Sequence, residues 1–318
     1  DLAVVVVGLP EYAETEGLDR TSLALPAPHD ALVRACVAAN PRTVVVVVSG
    51  SPVVLPWRED VPAVLQAYLG GQAAGGAIAD VLTGLAEPGG RLAESFPNAL
   101  DDNPVHDMPK GPRMTEYREC VFVGYRWYDT ADVPVAYPFG HGLTYTTFDW
   151  TDSELSTDRI SAGDTVGGRL EISVTVTNTG PRTGSDVVQV YVERTSEGIF
   201  RPRRALAGFA KVHLQPGESE RVCIVVDPAG LRHWDRNRRG FVVTDGSWKV
   251  HLASSLSEVR ATHEVETFDG VAPDTTPMCR AYRTLATEHE FRNGGFSRRA
   301  FEELLDEDLP DNVADRPG

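Results

Sequence analysis

The sequence predicts an α/β layer followed by an all-β sandwich, and three observations predict it. Short, unbroken apolar runs at Leu2–Val7 and Thr43–Val48 flank a stretch of helical spacing. From Asp149 the apolar residues change to period two, most cleanly in Leu170-Glu-Ile-Ser-Val-Thr-Val-Thr177. Turn residues such as Asn178-Thr-Gly180 and Pro216-Gly217-Glu218 punctuate that second region. Runs apolar at every position suit parallel strands covered on both faces. Alternation between close turns suits the antiparallel strands of a sandwich.

Leu2–Gly8 is too short and too β-branched for a helix and reads as a buried parallel strand. Asp30–Asn40 carries apolar residues at Leu32, Val33, Cys36 and Val37, a helical spacing that Asn40-Pro41 ends. Thr43–Val48 is a second strand and Val61–Leu69 a third, closed by Gly70-Gly71. Gln72–Leu82 is a helix of small residues, suited to close packing on a sheet. Pro88–Leu92 turns toward a short strand ending at Phe96-Pro97. Strands alternating with helices imply a parallel layer, and its opening strand needs a covering neighbour from a preceding segment or a partner. Residues 98–150 are rich in Pro, Gly and aromatics, with few helix signals. Tyr125 and Trp127 there either pack the segment down or line a sugar pocket, whereas Tyr145 and Phe148 read as packing. Strands at Leu170–Thr177, Val187–Glu193, Leu206–Leu214, Arg221–Val226, Phe241–Val243 and Trp248–Ala253 then imply a sandwich of the immunoglobulin or fibronectin type III kind. The expected divisions are 1–110 for an α/β/α sandwich incomplete at its start and 111–150 for the connector. The β-sandwich takes 151–266, and 267–318 is a polar, extended tail with a weak helix at Arg298–Leu305.

Composition narrows the function. With 318 residues the chain has room for two cores. A formal charge of −16 argues against nucleic acid or an anionic membrane surface as partner and fits a neutral small-molecule substrate. No apolar run is long enough to span a membrane, and no signal peptide is recognisable. Cys36, Cys120, Cys223 and Cys279 are widely spaced and read as thiols, which leans toward a cytoplasmic setting. No His, Cys and Asp cluster has metal-ligand spacing, no G-x-S-x-G is present, and the glycines at 70, 71, 75 and 76 form no phosphate-binding fingerprint. No metal or cofactor is expected. His141, behind Gly140, reads as a core or surface residue.

The chemistry concentrates after the first strand. Glu11, Glu14, Glu16 and Asp19 crowd into nine residues, in a loop where open α/β sheets bind ligands. Crowded carboxyls repel, and one enclosed in a drier cleft keeps its proton nearer neutrality, as a general acid requires. A merely solvated acidic loop explains the same residues.

An ordered series of motifs carries a resemblance that the residues alone do not. It runs Val4-Val-Val-Val-Gly8, Thr15-Glu-Gly-Leu-Asp-Arg20, Leu23-Ala-Leu-Pro26, Asn40-Pro-Arg-Thr-Val-Val-Val46, Ser49-Gly-Ser-Pro-Val53 and Pro56-Trp57. It continues through Ala79-Asp-Val-Leu82, Pro88-Gly-Gly-Arg-Leu92, Phe122-Val-Gly-Tyr-Arg126 and Pro138-Phe-Gly-His-Gly-Leu-Thr-Tyr-Thr-Thr-Phe148 to Gly184-Ser-Asp-Val-Val-Gln-Val-Tyr191 and Leu206-Ala-Gly-Phe209. Over residues 1 to about 260 the chain resembles the rear of a glycoside hydrolase family 3 enzyme, the β-glucosidase family. The resemblance implies a retaining mechanism with two carboxylates. The nucleophile is an aspartate of a barrel domain that this chain lacks. The acid/base is a glutamate on a loop of the α/β/α domain. The family's short-loop pattern Glu-Gly-x-Asp-Arg falls on Glu16, with Glu14 and Glu11 as runners-up and Asp19 and Arg20 as loop-positioning residues. The implied partners are a small β-linked glycoside and the barrel domain or chain, and the chain alone is expected to be inactive. The alternative is an inactive structural or carbohydrate-binding remnant.

Overall fold

A computed structural model describes residues 1–106, 115–163, 170–196, 201–235, 237–272, 298–305 and 308–309. Most of the predicted tail, Cys279 included, lies outside them. The described residues form two compact units, the first built on residues 1–87, 95–103 and 134–137 and the second on 88–94, 104–133 and the chain after 138.

In the first unit β1 (Ala3–Gly8), β2 (Thr43–Val48) and β3 (Ala63–Gln66) form a parallel sheet in that order. Helix α1 (Ala27–Ala39) crosses over between β1 and β2 and packs on both. Its Pro28 suits a first turn, where no N–H partner is lost. Val33 seats the helix, and Asp30 accepts the indole N–H of fully buried Trp57 at 2.8 Å. Central strand β2 is apolar because both its faces are covered: Val45, Val46 and Val47 have no exposed surface. Strand β1 departs from expectation. Val5 and Val7 are buried, but Val4 and Val6 are 45% and 60% exposed. Among the described residues no layer covers that face of β1. Helix α2 (Ala74–Thr83) likewise buries none of its residues, so its small side chains have no close-packing role among the described residues. The short strands β4 (Phe96–Pro97) and β5 (Val135–Tyr137) pair antiparallel.

The second unit is the sandwich. Its strands are β6 (Phe148–Leu155), β7 (Arg159–Ser161), β8 (Glu171–Asn178), β9 (Gly184–Arg194), β10 (Arg204–Leu214), β11 (Ser219–Val225), β14 (Gly246–Ser255) and β15 (Glu258–Phe268). A hairpin of β12 (His233–Asp235) and β13 (Gly240–Val242) stands beside them. One sheet has the order β10-β9-β14-β15-β7, the other β11-β8-β6. In β8 Ile172, Val174 and Val176 alternate inward to meet Val190, Val192, Val250, Leu252 and Trp248 from the other sheet. Each such burial contributes on the order of 1.5–3 kcal/mol.

The connector contains a helix that the sequence reading did not anticipate, α3 (Tyr125–Thr130). At six residues it is too short to declare a period, and packing holds it. Tyr125, Trp127 and Tyr128 are buried, and Tyr125 stacks on Phe139 at 4.6 Å. For Tyr125 and Trp127 packing is therefore the role observed. Asp129 pairs with Arg204, and Asp186 accepts from both Arg91 (2.9 Å) and the Trp150 indole (2.8 Å). Helix α4 (Arg298–Leu305) occupies the span expected of the tail.

Three histidines of this unit make stability acid-sensitive. Burial is the largest cause lowering the pKa of His141, His233 and His251 from the ordinary 6.5, and for His251 it outweighs the Glu193 carboxylate bonded at 2.8 Å. Well above pH 6.5 all three are neutral in both folded and unfolded chain. Below it the unfolded chain takes up the protons first, so stability falls with pH. The urea midpoint is expected to drop between about pH 7 and 5, with a shallower slope in His251→Gln.

Candidate active site

The site begins where β1 stops. A Cβ on Gly8 would lie 2.2 Å from the Val48 carbonyl oxygen, so only glycine lets β1 and β2 finish side by side. Leu9 N–H then bonds the same carbonyl, and Pro10–Ala13 turns, with the amides of Ala13 and Glu14 both reaching the Pro10 carbonyl.

Glu14 is the clamp of this loop. Its carboxylate accepts the Gly50 N–H at 2.8 Å and the Ser51 hydroxyl at 2.7 Å, both in the turn after β2. Arg20 closes the other end, its Nη1 donating to Ser51 Oγ at 2.6 Å and to the Pro52 carbonyl at 3.2 Å. Ser51 thus links both ends of the acidic loop. Its own turn is held by Ser49, whose hydroxyl donates to the Ser51 carbonyl, and by Gln66 at the end of β3, which donates to Ser49. Strand ends β1, β2 and β3 therefore support one loop.

Between the two anchors, Thr15 and Leu18 bridge antiparallel, placing Glu16 and Gly17 at the tip of a tight turn. Glu16 is exposed and makes no hydrogen bond or ion pair among the described residues. Tyr12 and Leu18 beside it are 78% and 72% exposed. Glu11 and Asp19 are also exposed. The structure therefore separates the three glutamates that the sequence could not: Glu14 is bonded inward, Glu16 is presented at the tip, and Glu11 lies on the preceding turn. The bracing residues Ser49, Gly50, Ser51 and Gln66 were not anticipated as part of the site. Their signal was the Ser49-Gly-Ser-Pro52 turn at the carboxyl end of β2, the edge at which ligands of such sheets bind. No group of three or more His, Cys, Asp or Glu side chains able to hold a metal occurs among the described residues, and no helix there is long and apolar enough to cross a membrane.

This bracing predicts a contrast. Glu14→Ala removes two bonds to a carboxylate and should cost about 1–2 kcal/mol after allowance for partial exposure. Glu16→Ala, at an exposed tip, should stay within about 0.5 kcal/mol of wild type. Urea unfolding measures both, and only Glu14→Ala should lose exchange protection at the Gly50 amide.

The chain thus combines an α/β domain, whose strand ends carry a braced acidic turn, with a β-sandwich domain, and both match domains of glycoside hydrolases. The chain carries a glycosyl hydrolase family 3 C-terminal domain. Residues 1–145 match the glycosyl hydrolase family 3 C-terminal domain, and residues 186–256 match the fibronectin type III-like domain. The chain is 40% identical over 260 residues to thermostable β-glucosidase B of Acetivibrio thermocellus, a match covering 81% of this chain and 34% of that protein. The structure is similar to the β-glucosidase of Kluyveromyces marxianus solved with glucose, with TM-score 0.78 and 40% identity over 85% of this chain and 32% of that one. It is also similar to a family 3 β-glucosidase of Bifidobacterium adolescentis, with TM-score 0.79 and 35% identity over 88% of this chain and 42% of that one. The chain spans about a third of the length of the curated relatives it matches.

Proposed function

We propose that this chain supplies the acid/base carboxylate, Glu16, of a retaining β-glycosidase that acts on terminal β-linked sugars of small glycosides. The nucleophilic aspartate comes from a barrel domain or chain outside this sequence. The observation that carries the reading is the exposed Glu16, presented on a turn whose two ends are fastened by Glu14 and Arg20. A group that transfers a proton in the transition state must be positioned, yet its oxygens must be open to the substrate. Glu14 meets the first condition and fails the second, because its oxygens are occupied. Glu16 meets both. Tyr12 and Leu18 offer apolar surface for a barrel to cover, and enclosure favours the protonated form of a carboxyl group.

In the first step Glu16 protonates the glycosidic oxygen as the barrel aspartate attacks the anomeric carbon, and the aglycone leaves. In the second, the ionised Glu16 takes a proton from water as that water attacks the glycosyl-enzyme, returning the aspartate and the first protonation state. Substrate kinship is drawn from the relatives, which are β-glucosidases, one of them solved with glucose. The test is hydrolysis of a p-nitrophenyl β-glucoside by the chain alone and by the chain mixed with a barrel-bearing partner. Turnover only in the mixture supports the reading. No turnover in any mixture of folded components favours a structural or carbohydrate-binding role.

A further inference from the structure

The second unit contains a cationic cluster for which the proposed function has no use. Trp248 on β14 is buried, and its indole N–H is satisfied by Thr267 Oγ1 at 3.1 Å, so its ring is fixed. Its cross-strand partner on β9 is Arg194, whose guanidinium lies over that ring at 5.4 Å from the centroid. Arg201, just before β10, lies over the same ring at 4.5 Å. Each guanidinium spends one nitrogen on a backbone carbonyl: Arg194 Nη2 on Asp245 at 2.7 Å, Arg201 Nη2 on Gly230. The remaining buried nitrogens find no acceptor among the described residues. Nε and Nη1 of Arg194, Nε and Nη1 of Arg201, and Nδ1 of His233 all lack a hydrogen-bond partner there.

Nearby carboxylates answer them only in part: the charge of Asp245 favours the Arg194 cation and that of Asp235 the His233 cation, without a hydrogen bond to the orphaned nitrogens. Asp245 Oδ1 accepts the Gly270 N–H at 2.6 Å, and Asp235 is held by the side chain and backbone N–H of Arg238. Neither Arg194 nor Arg201 forms an ion pair among the described residues. The repulsion is felt: burial, and then Arg194, pushes Arg201 down to about 10, and burial followed by Arg201 lowers His233. Stacking on Trp248 explains one arginine. It does not explain two cations with four orphaned donors, since buried donors are nearly always satisfied and burying the charge of Arg201 beside another cation is costly.

We propose that Arg194, Arg201 and His233 form a binding site for a dianionic oxyanion, the phosphate or sulfate group of a small molecule. Guanidinium donors match phosphate and sulfate oxygens, and two of them balance a charge of two.

The test is thermal unfolding and calorimetric titration of the full chain with inorganic phosphate, sulfate and glucose 6-phosphate, against chloride and acetate at equal ionic strength. We expect saturable binding of one dianion, with Tm raised by about 3–5 °C at roughly ten times the dissociation constant. Arg201→Met and Arg194→Met should each abolish the saturable part. In dianion-free buffer each should unfold close to wild type, because losing a repelling charge offsets losing one carbonyl bond and one stacking contact. Tighter binding of glucose 6-phosphate than of inorganic phosphate identifies a sugar-phosphate ligand, and equal binding identifies the free anion. A Tm rise no greater than with chloride, or one unchanged in both variants, overturns the proposal and marks a general salt effect. Should both variants fail to fold, the arginine Nε–H resonances of the wild type decide. Phosphate must shift those of Arg194 and Arg201 along one saturating curve, and unmoved resonances overturn the site.

Discussion

Glu16→Gln, combined with a barrel carrying the family's aspartate, is expected to turn over p-nitrophenyl β-glucoside about 10²–10⁴-fold more slowly than wild type. The two steps should suffer unequally. p-Nitrophenolate is a good leaving group and needs little protonation, so the glycosyl-enzyme still forms. Its hydrolysis needs a base to deprotonate water, and glutamine cannot serve. The variant should therefore show a burst of p-nitrophenol followed by slow turnover. Azide, which attacks without giving up a proton, should restore much of the rate and yield the glycosyl azide. Glu14→Ala gives the contrasting pattern. It frees the loop from Gly50 and Ser51, so kcat and KM should both worsen through misplacement, without azide rescue. Azide rescue in Glu14→Ala and none in Glu16→Gln would exchange the two roles.

The division between these glutamates shows where sequence reasoning stops. The crowding of acids and the Glu16-Gly-Leu-Asp-Arg20 pattern pointed to a carboxylate at the carboxyl end of the first strand. Which acid is clamped was not legible, because Glu14 is fixed by Gly50 and Ser51, which lie 36 and 37 residues away. Strand positions were legible because β2 and β8 declare themselves through unbroken and alternating apolar runs, each a local pattern. The outer face of β1 was misread because its four valines look alike in sequence, and only the count of neighbouring layers separates Val5 from Val6. Helix α3 was missed because six residues held by Tyr125 and Trp127 contain no repeat. For Glu14 and α3 residues outside the local pattern supplied the deciding contact, and at β1 the deciding fact was a face without a covering layer among the described residues.

Gly140→Ala is expected to destabilise the second unit by roughly 3–5 kcal/mol, a fall in Tm on the order of 10 °C. Two independent costs combine. Gly140 has φ +79°, where a side chain is strained by about 1–2 kcal/mol. In addition, the new Cβ would stand 2.0 Å from Gln189 Oε1. Gln189 cannot step aside cheaply. Its Nε2 donates to the carbonyls of Gly140 at 3.1 Å and Ser254 at 2.7 Å, and its Oε1 accepts the hydroxyl of wholly buried Tyr191 at 2.6 Å. Burial raises the Tyr191 pKa far above 10, so that hydroxyl keeps its proton and needs an acceptor at every ordinary pH. Tyr191 also packs edge-to-face on Tyr125, whose own hydroxyl receives the Leu206 N–H, so the disturbance reaches α3 and β10. The Pro138–Phe148 and Gly184–Tyr191 stretches are thus two halves of one lock. A double-mutant cycle tests the lock rather than the strain alone. Gln189→Ala removes the atom that the added methyl group would strike, so the double variant should be more stable than the sum of the two single costs predicts, by at least about 1 kcal/mol. Strict additivity in urea unfolding would assign the whole loss at Gly140 to backbone strain and remove the clash from the account.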